Sequence, residues 1–396
     1  MVRKNSERQF INWLTIVFLT MPHLKTGFWG QFGTLDLMID IWRLLSFFIV
    51  FIWYFFVWQR VSRIVVLFFV AEGYLMINTM IHGGNLYDCV KAAFSIMAVA
   101  LLYDMLEGFK MEFLEAQLFC FEIVIYINLF TEIAYPDGLY QGTLYSANWF
   151  LGYYNTHTRY FIPALMIAYI YKDYTGKKMR IYFLTAAIFL SALLVWSGGT
   201  IAALGIMSIV YIFFKNRTGI FNYYNYWLIH LVFFVLVIVM KLQNYLRWFI
   251  DGVLGKWSSL TGRMLVWQAG LELVGRSFIF GYGVEGDEAR QRHFLWAVHS
   301  HNQLLEILCQ GGIIYLILML MIVGTAGKCL GRNRSSETVK VISIAFLGWC
   351  VHSLVEPYIT SFLMGMFIIA YHSQSYVKVW TKGIYGENVR RQGRIG

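Results

Sequence analysis

The feature that most constrains this chain is a series of apolar segments separated by short polar connections. A helix of about 20 apolar residues crosses the hydrocarbon core of a bilayer. Because lipid offers no water to backbone polar groups, segments of this length must cross it as helices. The predicted helices are 10–24, 38–58, 64–82, 89–105, 112–134, 159–172, 181–196, 199–214, 226–242, 303–325, 341–355 and 358–377.

The composition agrees with a membrane protein. Hydrophobic residues make up 59% of the chain and charged residues 14%, whereas soluble domains have roughly 45–50% and about 25%. The apolar surplus must face lipid. We therefore predict an all-α polytopic membrane protein with about twelve transmembrane helices, forming a single membrane domain over 1–396. The first segment resembles a secretory signal, but no small-x-small cleavage site follows it, so we expect a retained span.

The distribution of charge predicts the orientation. The net charge is +10, and basic residues concentrate on alternate connections, which the positive-inside rule assigns to the cytoplasm. This favours a plasma (inner) membrane protein with both termini cytoplasmic over a nucleic-acid-binding protein. The cysteines form no Cys-x-x-Cys pair and are expected to be small core residues. They are Cys89, Cys120, Cys309, Cys329 and Cys350.

Four connections are predicted on the extracytoplasmic side. They are the loop 135–158, the turn at 197–200, the long loop 243–302 and the turn at Glu356-Pro357. Residues that spanning does not require are the place to look for function. The long loop and its edge are rich in cations, which are either solvated or bind an anion, since arginine pairs with two phosphate oxygens at once. These cations are Lys241, Arg247, Lys256, Arg263, Arg276, Arg290 and Arg292.

Within the long loop, an amphipathic helix is predicted to lie on the membrane. Trp267, Leu271 and Val274 follow helical spacing, as in interfacial helices. Thr261 is the expected N-cap. Arg263 would then lie in the first turn, where backbone N–H groups attract anions; the alternative is an arginine that snorkels to lipid headgroups.

His301-Asn302 lies where the long loop enters an apolar helix. A free imidazole titrates near pH 6.5, which suits a general base acting on a hydroxyl; the alternative is a hydrogen-bonded cap residue. Asn302 could orient the ring or bind sugar. Glu306, one turn further on, is either functional or a buried hydrogen-bonding group. His293 and His299 together with His301 raise the possibility of zinc, but we predict no metal.

The loop 135–158 carries aromatic and amide side chains, and Trp149 and Asn155 are candidate sugar-binding residues. The alternative is an interfacial aromatic belt. Arg159 begins the next span on the same side and could reach a phosphate.

Together these motifs resemble the O-antigen ligase and polysaccharide polymerase superfamily. The ligase signature reads here as His301-Asn302, nine residues and Gly312-Ile-Ile-Tyr315, without departure. Gly262-Arg263, Trp267 and Gly281-Tyr-Gly283 resemble the wider pattern. One departure is Ser197-Gly198-Gly199, where relatives often have Ser-Arg-Gly with an arginine implicated in diphosphate binding. Another cation, such as Arg159, Arg276 or Arg290, would have to replace it.

The resemblance implies a GT-C-like glycosyltransferase that needs neither metal nor cofactor. Its donor would be an undecaprenyl-diphosphate-linked oligosaccharide and its acceptor the hydroxyl of a glycan, in capsule, exopolysaccharide or O-antigen assembly. His301 would be the base, and Arg263 with Arg159, Arg276 and Arg290 would bind the diphosphate. Membrane lipids, and a chain-length regulator or other assembly proteins, are candidate partners; nucleic acid is not.

Several alternatives stay open. The altered Ser-Gly-Gly turn and the tyrosine-rich loop favour a polymerase, whereas the strict histidine motif favours a ligase that moves a finished glycan to another acceptor. A flippase or transporter would use charges within the spans. Those charges are Lys91, Asp104, Glu122 and Glu132. A metal-dependent lipid-sugar transferase would use Asp36 and Asp40, which lie one helical turn apart.

Overall fold

The computed structural model describes residues 12–105, 109–142, 147–242 and 257–376, with only the backbone of 257–261. Apart from two isolated bridges around residue 148, the regular structure of these ranges is helical. The predicted basic termini, Arg247 and Lys256 lie outside the described residues. The helices are α1 (12–20), α2 (Gly33–Ile52), α3 (Arg63–Ile81), α4 (Leu86–Met105), α5 (Lys110–Ala134), α6 (Thr158–Thr175), α7 (Met179–Leu194), α8 (Gly198–Ile209), α9 (Tyr223–Phe233), α10 (Trp257–Arg276), α11 (Asp287–His293), α12 (Gln303–Leu330), α13 (Glu337–His352), α14 (Ser361–Tyr371) and α15 (Ser373–Tyr376).

The predicted all-helical class is confirmed, and each predicted segment overlaps one of these helices. Among the described residues, four helices are long and apolar enough to cross a membrane, and α7, α8, α9 and α14 are shorter apolar helices. Two of the shorter ones, α8 and α9, gain length from π-helical turns at their ends. The four long helices are Arg63–Ile81, Leu86–Met105, Lys110–Ala134 and Gln303–Asn333. Twelve crossings stay a prediction.

The helices pack around α4, which contacts α2, α3 and α14. Every residue in the second half of α4 is buried, with the small side chains of Ala98 and Ala100 among them. A second group of helices surrounds α13, which contacts α6, α8 and α9. All five cysteines are buried and free, which confirms them as core residues.

The predicted amphipathic helix exists as α10, but it differs from expectation in two ways. The helix already includes Trp257, so Thr261 lies in its interior and the N-cap prediction was wrong. The apolar face that contains Trp267 and Val274 packs against α12 and the end of α9, where it joins a small core of its own. This face is therefore covered by protein, because α12 offers it a complementary apolar surface.

Helix α12 is broken at Gly312, whose φ of 61° and ψ of −160° are not helical. Only glycine adopts such angles readily. The break frees backbone groups that the segment before α11 satisfies: Tyr282 N donates to Cys309 O at 2.8 Å, and Ile313 N donates to Phe278 O at 2.9 Å. A Cβ on Gly312 would collide with the Ile279 carbonyl.

Helix α3 closes the other side of this break. The Asn78 amide donates to Phe280 O at 2.8 Å and to Gln310 O at 3.0 Å, and the Tyr74 hydroxyl donates to Gly311 O at 2.9 Å. Gly283 approaches α3 so closely that a Cβ would lie 2.6 Å from Thr79 Cα. The glycines of the two sequence motifs thus meet in one place, and together they fix the first turns of α12, which directly follow His301.

Candidate active site

The site is organised around Glu356, whose side chain is only 4% exposed. Arg263 Nη2 lies 3.4 Å and His301 Nδ1 3.5 Å from Glu356 Oε1. His299 Nε2 lies 3.5 Å from the other oxygen, Oε2. One buried carboxylate therefore gathers an arginine from α10 and two histidines from the connection before α12.

The remaining predicted outer segments reach the same carboxylate. The Asn155 amide donates to Glu356 Oε1 at 2.8 Å, and the Ser197 hydroxyl donates to Asn155 Oδ1 at 3.1 Å. Thr200 lies 2.7 Å from Ser197 and 2.6 Å from Thr158 through side-chain oxygens, so the Ser-Gly-Gly turn is tied to the start of α6. All four predicted outer segments thus converge on Glu356.

His301 is held in a strained position. Its φ is 53°, which is uncommon for a residue with a side chain. The strain is maintained by its surroundings: the His301 carbonyl accepts from the Trp267 indole at 3.4 Å, and the His301 N–H donates to His299 Nδ1 at 3.3 Å. Strained backbone conformations of this kind concentrate at functional sites, where contacts with the surrounding structure hold them in place.

Asn302 fixes the backbone immediately after the histidine. Its Oδ1 accepts from the N–H groups of Leu304 and Leu305, so it is the N-cap of α12, and its amide donates to Leu354 O. The side chain is buried. Asn302 therefore orients His301 through the backbone, and its part in sugar binding stays a prediction.

The geometry determines which nitrogen of His301 can act. A proton on Nδ1, facing the Glu356 carboxylate, leaves the lone pair on Nε2. A carboxylate behind a histidine in this way fixes the tautomer and stabilises the imidazolium that forms on proton uptake. This geometry suits an oriented general base, with the Arg263 guanidinium beside it.

Burial and the neighbouring charges set the ionisation of the cluster. Burial opposes ionisation of Glu356 most strongly, but the contact with His301 and the charges of His299, His301 and Arg263 outweigh it and hold the pKa of Glu356 below its usual range. Burial lowers the pKa of His299 from 6.5 to about 4, although the Glu356 carboxylate opposes this shift. At neutral pH the carboxylate is therefore charged and His299 is neutral.

This arrangement predicts a stability that falls as the pH is lowered. Between pH 6.5 and about 4 the unfolded chain protonates His299 while the folded chain does not, so folding loses about 2 kcal/mol by pH 5. The contribution of Glu356 to stability is lost at lower pH, as the pH falls through the pKa of Glu356 in the folded protein. We expect a lower melting temperature in detergent at pH 5 than at pH 7.

The His299→Gln variant should lose the share of this pH dependence that His299 contributes, about 2 kcal/mol by pH 5, whereas replacement of the exposed His82 by glutamine should not change it. Equal pH dependence of His299→Gln and the unsubstituted protein would contradict the assignment to His299.

Two residues that the sequence singled out separately form a buried ion pair. Arg290 Nη2 contacts Glu306 Oε1, which also accepts from the Gln310 amide at 2.8 Å. Glu306 Oε2 accepts from the Ser300 N–H at 2.9 Å. This pair anchors α11 and the His301 segment to α12. Arg290 is therefore committed to a carboxylate, and its binding of diphosphate stays a prediction.

The other predicted site residues lie apart from Glu356. Trp149 is buried, and its indole donates to Tyr135 O at 2.9 Å, so its role in sugar binding stays a prediction. Arg276 is exposed at the end of α10. Arg159 lies in a neighbouring cleft with Arg43. Among the predicted cations, Arg263 alone contacts Glu356 in the part of the chain that the structure describes.

The residues around Glu356 include side-chain types that bind metal ions. His299, His301 and Glu356 place one potential ligand atom each within 4.8 Å of one another. His293, part of the histidine trio considered from the sequence, instead contacts Glu285 at 3.0 Å. The Arg263 guanidinium already shares the Glu356 carboxylate, and its charge would repel a cation.

Glu356 was not among the predicted site residues. Its signal in the sequence was the short Glu356-Pro357 turn on the predicted outer side. The pairing with His301 depends on contacts between the start of α12 and the connection after α13: Gln303 N donates to Ser353 O at 3.0 Å, and Tyr358 N donates to Gln303 Oε1 at 2.7 Å.

Part of the chain is similar to known proteins. Residues 154–320 match the family model described as O-antigen ligase, a stretch that contains Arg263, His301 and Gly312. The exopolysaccharide production protein ExoQ of Rhizobium meliloti (strain 1021) is 31% identical over 140 residues, which cover 30% of this chain. The match spans 32% of the length of that relative. The central part of the chain is therefore similar to the O-antigen ligase family.

Proposed function

We propose that this protein is a membrane glycosyltransferase that polymerises glycan repeat units carried on undecaprenyl diphosphate. The observation that carries the proposal is the oriented pair of His301 and the ionised Glu356, with the Arg263 guanidinium at the same carboxylate. The base would suit removal of a proton from a hydroxyl, and the guanidinium would suit a phosphate-bearing leaving group. The site would face the extracytoplasmic side.

In the proposed reaction an acceptor hydroxyl attacks the anomeric carbon of the donor glycan. His301 Nε2 takes the hydroxyl proton as the new C–O bond forms. The bond between the anomeric carbon and the lipid diphosphate breaks, and the diphosphate leaves with the electron pair. Arg263 stabilises the charge that grows on it, where preorganised electrostatics contribute most, and Glu356 stabilises the imidazolium. A single displacement inverts the anomeric configuration.

The choice of a polymerase draws on the similarity to an exopolysaccharide production protein. The chemistry at His301 would be the same in a ligase that moves a finished glycan to another acceptor, and the family match is described by that activity. The two differ only in the acceptor.

A transporter is disfavoured by the positions of the charged residues that would serve it. Asp104 accepts from the Tyr54 hydroxyl at 2.6 Å and contacts His372, and Glu122 is paired with Arg180 at 2.6 Å. Lys91 lies 3.0 Å from Asp88. Glu132 accepts from the Asn128 amide at 2.6 Å. Each of the four charges therefore has a neighbouring partner, as expected for structural pairs.

Incubation of the purified protein in lipid vesicles with its lipid-linked repeat unit tests the proposal. We expect a ladder of longer lipid-linked glycans with inverted linkages, detected by electrophoresis and NMR. Transfer of an intact glycan to a different acceptor would establish a ligase instead. Movement of the lipid-linked glycan across the bilayer without any growth would contradict both enzymes.

Replacement of Glu356 by glutamine should lower kcat on the order of 10²-fold or more, because the neutral amide neither fixes the His301 tautomer nor stabilises the imidazolium. KM should change less, and the melting temperature checks that folding is retained. Glu285→Gln is the matched control, since Glu285 pairs with His293 away from Glu356. An unchanged kcat for Glu356→Gln would remove the carboxylate from the mechanism.

Transfer should survive chelation by EDTA, because the proposed chemistry uses only proton transfer and fixed charge. The carboxylates of the metal-dependent alternative, Asp36 and Asp40, are both paired with Lys25. Loss of transfer in EDTA, with recovery on adding zinc or magnesium ions, would contradict the prediction.

A further inference from the structure

A second polar cleft, of about 130 Å³, is lined by residues that follow Asn155 and Glu356 in the chain. We call it the arginine cleft. Its cationic lining is Lys25, Arg43 and Arg159, and it is bounded by α2, α4, α6 and the start of α14. The hydroxyl-bearing residues Tyr160, Thr360 and Ser361 complete one wall.

The charges of this cleft are only partly compensated. Arg43 Nη1 donates to Asp40 at 3.3 Å, and Lys25 Nζ lies 2.9 Å from the same Asp40 oxygen. Arg159 donates to the Tyr160 hydroxyl at 3.2 Å, and no carboxylate among the described residues forms an ion pair with it. The Nε atoms of Arg43 and Arg159 are both buried, and neither has a hydrogen-bond partner in the described chain.

Two guanidinium groups that share a cleft repel each other, and a buried N–H without an acceptor carries a desolvation penalty. An anion bound between them would remove both costs. Phosphate suits the position, because a guanidinium donates to two phosphate oxygens in parallel. The arrangement is therefore one that a phosphate group would complete.

An apolar groove of about 270 Å³ between α2 and α4 shares Arg43 and Ser95 with the arginine cleft. Apolar residues of α2 line it, and Leu37, Ile41 and Leu44 are each 44–57% exposed there. A ligand with a phosphate at Arg43 could lay a hydrocarbon chain along this groove. The two features together fit a lipid phosphate better than a free phosphate ion.

The cleft also adjoins the candidate active site along the chain. Arg159 follows Asn155 by four residues, and Thr360 follows Glu356 by four. Asn155 and Glu356 are hydrogen-bonded to each other. The arginine cleft and the candidate active site are thus joined by two short stretches of chain.

We propose that the arginine cleft binds the phosphate of a polyprenyl diphosphate, whose hydrocarbon chain lies in the groove between α2 and α4. This rests on the proposed function and assigns Arg43 and Lys25, together with Arg159, to donor binding. Arg159 and Arg43 hold the diphosphate, and Lys25 adds positive charge while it stays paired with Asp36 and Asp40.

The test measures binding separately from transfer. The purified protein in nanodiscs is titrated with undecaprenyl diphosphate, and binding is followed by native mass spectrometry and by the rise in melting temperature. Arg43→Gln and Arg159→Gln should each weaken binding at least about tenfold, as expected for loss of a charge-assisted hydrogen bond. Arg43→Lys and Arg159→Lys should give intermediate affinities, because lysine keeps the positive charge but cannot donate two parallel hydrogen bonds to a phosphate.

Arg217→Gln is the matched control, since Arg217 is exposed on the connection between α8 and α9, and it should bind normally. Melting temperatures without ligand show whether each variant is folded. If a glutamine variant does not fold, the corresponding lysine variant provides the test. Unchanged binding by folded Arg43 and Arg159 variants would overturn the proposal.

A second titration with phosphatidylglycerol separates the two lipid sources. Weak phosphatidylglycerol binding that the variants leave unchanged supports the diphosphate assignment. Variants that lose phosphatidylglycerol but keep undecaprenyl diphosphate would overturn it in favour of a headgroup site. The His301→Ala variant distinguishes the two proposals, because it should bind undecaprenyl diphosphate normally. Normal transfer by this variant would contradict the role of His301 as the base but would not affect the proposal for the arginine cleft.

Discussion

Replacement of His301 by alanine should lower the rate of glycan transfer by about 10²–10⁴-fold, the range in which general-base catalysis contributes. The ring of His301 has Nδ1 directed at the buried Glu356 carboxylate, 3.5 Å away, so Nε2 is the atom placed to accept a proton. Alanine removes that acceptor. Alanine keeps the Cβ, so the strain of the positive φ at this position is unchanged.

The measurement is the initial rate of chain growth in vesicles, with the melting temperature of each variant as the check on folding. His301→Gln should be as inactive as the alanine variant, because an amide cannot serve as a base. His293→Ala is the control, since His293 contacts Glu285 away from the site. A His301→Ala variant that transfers at the normal rate would remove His301 from the mechanism.

The second large effect concerns folding. Gly312→Ala should destabilise the protein by about 2–6 kcal/mol, from backbone strain of roughly 1–3 kcal/mol and a steric clash of about 1–3 kcal/mol. The φ of 61° and ψ of −160° at Gly312 are nearly inaccessible to alanine, and its Cβ would meet the Ile279 carbonyl. We expect a poor yield of folded protein and a much lower melting temperature.

Gly324→Ala is the control for this prediction. It lies in the same helix, with ordinary helical geometry and open space at the Cβ position. Alanine there should be neutral or stabilising by about 1 kcal/mol, because it is the better helix former. If Gly312→Ala melted at the same temperature as Gly324→Ala, the break in α12 would not depend on glycine.

The helices could be predicted because their signal is local. A long apolar segment must form its backbone hydrogen bonds internally, and this is evident from composition alone. The first residue of α10 was harder to predict. Thr261 is a favourable N-cap in isolation, but it lies inside a helix that already includes Trp257. Local preference for a cap is weak against the packing of a whole helix face on α12.

The pairing of side chains across the site could not be predicted from the sequence. His301 and Arg263 were identified from their motifs, but Glu356 lies on a separate connection, and its contact with His301 arises only when α12 and α13 pack. Arg290 and Glu306 were each singled out, yet their ion pair depends on how α11 folds back on α12. Gly281 and Gly283 were noted only as part of the sequence pattern, and the structure places them against the break of α12.

The carboxylate at the centre of the site is contributed late in the chain, after α13, whereas Arg263 and His301 precede it. A ribosome-bound polypeptide that has inserted α12 therefore already exposes its histidine and guanidinium, but without the counterion that orients them. If the proposed mechanism holds, such a nascent chain is inert until the segment with Glu356 has been added. A translation product that stops before Glu356 would then lack the carboxylate that orients His301.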